Sequence, residues 1–133
     1  MSHSTFEKRT RPLIGRLEVT ERITSIEKLY ELVKGLEAVI VGSDWVWSPE
    51  YPMYYQEYGY LLPFKLKKTL KIAYSASFGW DDLSKLSAHV LNTYRKYVQD
   101  FDFISLREKS HVPFLLALLD HKKLYTIRLI LRY

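Results

Sequence analysis

Three short apolar runs set between stretches of helical periodicity constrain this chain more than any other feature. Ala38-Val39-Ile40-Val41 closes on Gly42, Lys71-Ile72-Ala73-Tyr74-Ser75-Ala76-Ser77 runs into Phe78-Gly79, and Phe103-Ile104-Ser105-Leu106 runs into Arg107. Continuous apolar runs of this length suit strands buried on both faces, as in parallel sheets. Helical patterns alternate with them. Ile26, Leu29, Tyr30 and Val33 fall on one helical face. Leu83, Leu86, Val90, Tyr94 and Tyr97 form a second stripe, with Leu91 and Val98 beside it. Alternation of this kind predicts an α/β fold. The expected form is a Rossmann-like three-layer unit with a parallel sheet of three to four strands.

The punctuation fits the same plan. Thr24 with Glu27 makes a capping-box pattern ahead of the first helix, and Gly35 is placed to end it in a left-handed cap. Ser87 precedes the main part of the second helix, and Ser110 a third helix over His111 to Leu119. Pro113 is tolerated there because first-turn N–H groups have no helical acceptor. Leu124 to Tyr133 fits a fourth strand or a helix, and periodicity does not decide between them. Residues 45–62 read as an irregular insertion crowded with Trp45, Trp47, Tyr51, Tyr54, Tyr55, Tyr58 and Tyr60. Flat rings with polar edges suit sugar faces, and they equally suit a hydrophobic lid, with Trp47 expected in the core.

Composition removes several classes of function. The 133 residues contain no cysteine, which excludes a disulfide scaffold, a cysteine-based zinc site and a thiol nucleophile. His3, His89, His111 and His121 have no metal-ligand spacing. No P-loop or serine–histidine–aspartate order is present, so no metal and no cofactor is expected. The longest apolar run, Phe114 to Leu119, is far short of the roughly 20 residues that span a bilayer. Met1 to Glu7 carries no apolar signal region, so the expected setting is cytoplasmic, with no membrane span. The net charge of +5 sits at the ends. Residues 1–16 have four bases against one acid, residues 121–133 have four bases and no acid, and the rest has twelve bases against fourteen acids. Basic tails around an acidic middle do not make the focused basic face that a nucleic-acid partner requires.

If the three strands are parallel, their following loops share the carboxyl edge of the sheet, where open α/β sheets bind ligands. Gly42, Ser43 and Asp44 follow the first strand, Ser77 and Gly79 the second, and Arg107 and Ser110 the third. Gly42, Ser43 and Asp44 suit plain turn chemistry, or else Asp44 suits a hydrogen bond to a hydroxyl or acceptance of its proton. Arg107, Lys109 and Ser110 suit an anion, or else a surface ion pair and a helix cap. Ser77 and Gly79 suit a phosphate or sugar loop, or else a tight strand exit. His111 borders the same place.

The same stretches carry a family resemblance. Val39-Ile40-Val41-Gly42-Ser43-Asp44 with Val46-Trp47 and Pro49 resembles the IVGSDQVWNP signature of the polysaccharide pyruvyl transferase family. Lys71 to Gly79 resembles its KIAYAASFG strand, and Phe101 to Ser110 its FDAISVREKSG segment. The order and spacing agree over about residues 20–112. Trp45 stands where the family usually has Gln, Ser48 where it often has Asn, and His111 where it has Gly. The resemblance implies the first of two Rossmann-like domains that face each other in a GT-B-like arrangement. It also implies transfer of pyruvyl from phosphoenolpyruvate to a glycan hydroxyl in exopolysaccharide biosynthesis. Gly42, Ser43, Asp44, Trp45, Ser77, Gly79, Arg107 and Ser110 become candidate substrate-binding residues, with Asp44 the catalytic candidate.

The family's donor-binding half has no counterpart in the sequence. The chain therefore reads as one partial domain: a basic tail over 1–20, a family-like core over 21–112 and a divergent tail over 113–133. The expectation is a protein inactive alone. It would either meet a partner half or a second copy, or serve as a glycan-binding remnant.

Overall fold

A computed structural model of the chain describes residues 22–49, 58–79, 82–120 and 128–129. Four parallel strands lie side by side in chain order: β1 (Ala38–Val41), β2 (Leu70–Ala76), β3 (Phe103–Leu106) and β4 (Arg128–Leu129). The helices are α1 (Ile26–Val33), α2 (Ala88–Val98) and α3 (Val112–Leu118), with short 3₁₀ turns at Gly59–Leu61, Leu83–Lys85 and Lys109–His111. This is the expected α/β, Rossmann-like arrangement. β1 and β3 match the apolar runs, and β2 begins and ends one residue earlier than the expected Lys71–Ser77. Among the described residues no helix is long and apolar enough to cross a membrane.

The register explains where the core forms. Val39 pairs with Lys71, Val41 with Ala73 and Ala73 with Ile104, so these side chains share one face. That face buries Val41, Ala73 and Ile104 in one cluster with Leu86, which precedes α2, and with Tyr94, Val98, Leu115 and Leu118 of the helices. Near the end of β2 the register slips, two residues of β2 standing against one of β3, and Ser75 takes a φ of 52°. This bulge turns Ala76 back to the core beside Leu106, where strict alternation would have sent it to the other face.

The opposite face is different. Ile40 is 67% exposed, and Leu70 and Tyr74 are exposed as well. The apolar run of β1 is thus covered on one side only, contrary to the two-sided burial expected of it. The third layer of the expected unit does not lie among the described residues.

Local chemistry departs from expectation at three caps. Ser25, not Thr24, is the N-cap of α1, and its hydroxyl accepts from the Lys28 N–H at 3.2 Å. The carboxylate of Glu27 is held below its usual range by backbone and Ser25 hydrogen bonds. Gly35 is not in the left-handed region. α1 ends through αR Lys34, with Leu36 N–H donating to the Val33 carbonyl at 3.1 Å. Ser110 lies inside the Lys109–His111 turn, which runs directly into α3, so it does not cap that helix. Ser87 does cap α2, accepting from Val90 N–H at 3.3 Å, and Pro113 sits in the first turn of α3.

An aromatic cluster lies beneath the carboxyl edge. Phe78 meets Trp47 at 5.5 Å, Tyr94 at 5.4 Å and Phe114 at 5.1 Å between ring centroids. Such pairs add roughly 0.5–1.5 kcal/mol each to their burial. Trp47 is core, as expected, and its Nε1–H donates to the Tyr60 carbonyl at 3.2 Å. The hydroxyl of Tyr94 donates to the Trp47 carbonyl, and burial pushes its pKa up. Tyr51, Tyr54 and Tyr55 lie outside the described residues, as does the tail apart from β4.

Lys71 lies in the described core at 1% exposure. Its ammonium donates to the carbonyls of Leu62 and Phe64 and lies 3.9 Å from Asp100. Burial lowers its pKa from the ordinary 10.5, and the attraction of Asp100 only partly offsets this. The folded state therefore binds this proton less readily than the unfolded chain. The penalty is relieved as pH rises through the depressed value toward 10.5. Urea unfolding of the parent and Lys71→Met should show the parent gaining stability relative to the variant across that alkaline window. Gly42, at φ 149°, leaves no space for a side chain, since a Cβ would stand 1.9 Å from the Tyr74 carbonyl oxygen. Gly42→Ala should cost more than about 2 kcal/mol in the same assay.

Candidate functional site at the carboxyl edge

The end of β2 gathers the loops of its two neighbours by main-chain hydrogen bonds. Ser77 N–H donates to the Asp44 carbonyl at 2.9 Å, Trp47 N–H to the Ser77 carbonyl at 3.1 Å, and Arg107 N–H to the Ala76 carbonyl at 3.0 Å. Asp44 also bridges Ala76 in parallel, in a left-handed conformation with φ 64°. Aspartate tolerates that region better than most residues. Asp44, Ser77 and Arg107 therefore share one rim, as the parallel reading of the three strands requires.

The side chains join in one chain of contacts. Arg107 Nη1 meets Asp44 Oδ1 at 2.6 Å, and Arg107 Nε donates to Glu108 Oε1 at 2.9 Å. Ser77 Oγ donates to the same Glu108 oxygen at 2.8 Å and accepts from Gly79 N–H at 3.0 Å. The other Glu108 oxygen faces His111 Nδ1 at 3.4 Å, and the His111 ring packs on Phe78. Burial pushes the Glu108 carboxyl up. The hydrogen bonds from Arg107 and Ser77, with the attraction of the Arg107 charge and of the neighbouring His111 ring, outweigh it and hold the pKa below the ordinary value. Asp44 and then Glu108 hold the Arg107 guanidinium firmly in its charged form.

The candidates divide by accessibility. Gly42, Ser43, Asp44, Trp45, Arg107 and Ser110 are exposed, and Gly79 is partly so. The ring of Trp45 lies against Gly79, where a Cβ would come within 2.8 Å of it. Ser77 is fully buried, with its hydroxyl committed to Glu108 and Gly79, so it holds the rim from behind. Ser110 is exposed, but no described contact joins it to the Asp44–Arg107 pair.

The Arg107–Glu108 pair, expected as the alternative to an anion site, is present, and His111 borders the rim as expected; sequence reasoning missed only that Glu108 joins Ser77 and His111 to that pair. The i, i+3 spacing of Glu108 and His111 in the turn before α3 was the available signal, since one 3₁₀ turn brings such positions together. Among the described residues no group of three or more metal-ligating side chains comes together. The arrangement offers one guanidinium, two carboxylates and an aromatic edge. That set suits hydrogen bonding to a polyol better than tight capture of a polyanion. Comparison with family models, curated proteins and solved structures gives no match for this chain.

Glu108 supplies an acid-sensitive contribution to stability. A carboxylate with a depressed folded pKa stabilises fully above its unfolded value, near 4.5, and loses that contribution as pH falls through the folded value. The stability difference between the parent and Glu108→Gln, from urea midpoints between pH 7 and pH 3, should shrink toward the acid end. A difference constant with pH would contradict this account of Glu108.

Proposed function

We propose that this chain is the acceptor side of a polysaccharide pyruvyl transferase-like protein. It presents a glycan hydroxyl at the Asp44–Arg107 rim and transfers little or no pyruvyl by itself. The observation that supports this most is the meeting of three separate signature-like segments at one rim. Asp44 is exposed there, and Trp45 offers a flat ring beside it. A cytoplasmic setting in glycan assembly belongs to the same reading.

In the reaction, C3 of phosphoenolpyruvate takes a proton and a sugar hydroxyl adds to C2. Inorganic phosphate leaves, and a second hydroxyl closes the ketal. One hydroxyl proton balances the proton taken up at C3 and the other leaves with phosphate. Asp44 is placed to receive a hydroxyl proton on the acceptor side. The donor carries several negative charges, and its binding calls for a preorganised cationic pocket closed against water. At the rim the Arg107 guanidinium is already shared by two carboxylates.

A second reading has its own support. Ile40, Leu70 and Tyr74 are exposed on one face of the sheet, and apolar surface of this kind suits a module that holds a glycan or a partner without turnover.

The test is ketal formation from phosphoenolpyruvate and a panel of glycosides, alongside glycoside binding. Binding should occur and should weaken about tenfold in Asp44→Ala, as for loss of a hydrogen bond to a charged group. Turnover by the parent should stay below roughly a hundredth of a typical kcat of ~10 per second. Faster turnover would contradict the claim that the chain transfers little alone. Absence of glycoside binding would contradict the acceptor role.

A further inference from the structure

The geometry points to Arg107 as an exchange site, where the carboxylate or phosphate of a ligand replaces Asp44 and leaves the Asp44 carboxylate free to accept from a ligand hydroxyl. The second half of this inference rests on the acceptor reading above. The first half, anion exchange at Arg107, stands without it.

The two contacts of Arg107 are unequal. On the inner side, Nε is bonded to Glu108, which is itself bonded to fully buried Ser77. On the outer side, Nη1 meets Asp44, whose side chain is 76% exposed against 41% for Arg107. Exposed ion pairs contribute little and are screened by salt. The inner contact thus anchors the guanidinium while the outer one is readily broken.

The main chains of both outer partners are fixed to β2, Asp44 through its carbonyl and Arg107 through its N–H. Only the Asp44 side chain has to turn. Its departure opens the Nη edge of a planar fork that matches a carboxylate or phosphate in two-point geometry. While Asp44 stays, two carboxylates face one guanidinium, and an incoming anion is repelled. Asp44 is therefore a built-in competitor for the anion. As long as Arg107 holds it, it is also a poor acceptor for a hydroxyl proton. Arrival of the ligand anion removes both restraints in one step, so a ligand carrying both an anionic group and hydroxyls is favoured over a neutral sugar.

The experiment is a titration of the full chain with inorganic phosphate at low salt, followed through the backbone amide resonances of Ser77 and of position 107 in every variant and, where arginine is present there, through its Nε–H resonance. Phosphoenolpyruvate and a sugar phosphate serve as separate arms, to tell an anion on the donor from one on the acceptor. Asp44→Asn keeps a residue that tolerates the left-handed backbone and removes the competing charge. It should tighten phosphate roughly 2–5-fold, the scale of an exposed pair. Glu31→Gln removes the same charge from α1 and should leave affinity unchanged. Arg107→Gln should abolish binding. Arg107→Lys keeps the charge without the fork; it should weaken binding, and it guards against a folding defect in the glutamine variant.

Unchanged affinity in Asp44→Asn, equal tightening in Glu31→Gln, or binding that survives Arg107→Gln would overturn the inference. So would absence of binding in both the parent and Asp44→Asn. Phosphate exchange without glycoside binding would sink the acceptor reading alone. Glycoside binding with no phosphate response would sink this inference alone.

Discussion

The hydrogen bonds at the end of β2 hold the rest of this architecture in place. Ala76 and Ser77 lie between two loops, taking Arg107 N–H from one side while donating to the Asp44 carbonyl on the other. Parallel strands cannot be joined by tight hairpins, so nothing local in the sequence brings residues 44, 77 and 107 together. Their proximity depends on strand register, and the register depends on which face of each strand is apolar. The bulge at Ser75 is the adjustment that makes this work. It keeps Ala76 in the core and lets the next residue project its hydroxyl toward Glu108.

From that tie the electrostatics follow. Glu108 is partly buried, which by itself would disfavour its charge. Ser77 and Arg107 supply the hydrogen bonds that keep it ionised. An ionised Glu108 in turn fixes one edge of Arg107, which leaves the other edge facing Asp44 and solvent. The order of the network, from buried hydroxyl to half-buried carboxylate to exposed guanidinium, grades it from rigid to exchangeable. Behind it the cluster around Phe78 and Trp47 provides packed support for the loops. A rim of this kind is fixed in its main chain and adaptable at its outermost side chains, which suits a site that changes partners when a ligand arrives.

Much of the fold was legible because apolar runs are a nonlocal signal written locally. β1 and β3 could be bounded to the residue, since Glu37 and Gly42 flank one and Asp102 and Arg107 the other. Ser87 was readable as a cap for the same reason. The errors share a cause: they fall where two local solutions are close in energy. Thr24 and Ser25 are both good caps, and the backbone chose the second. Gly35 permits a left-handed end without requiring one. Ser110 was absorbed by a 3₁₀ turn that periodicity does not reveal. The one-sided covering of β1 could not be read from its sequence, because four apolar residues look alike whether one face is packed or two. At the site, the exposed Asp44 and Arg107 were recognisable from residue type and loop position. The link from Glu108 to Ser77 was not, because a carboxylate next to an arginine reads as a surface pair until the fold places Ser77 beneath it.

The central claim is that residues far apart in the chain act as one physical unit at the carboxyl edge. Its most direct test is a double-mutant cycle on stability with Ser77→Ala and Glu108→Gln, measured by urea unfolding at neutral pH. The account predicts a coupling of about 1 kcal/mol, in the range for groups joined in one hydrogen-bonded network. Additive effects, within about 0.3 kcal/mol, would mean that the two side chains do not meet and that the rim is not assembled as described.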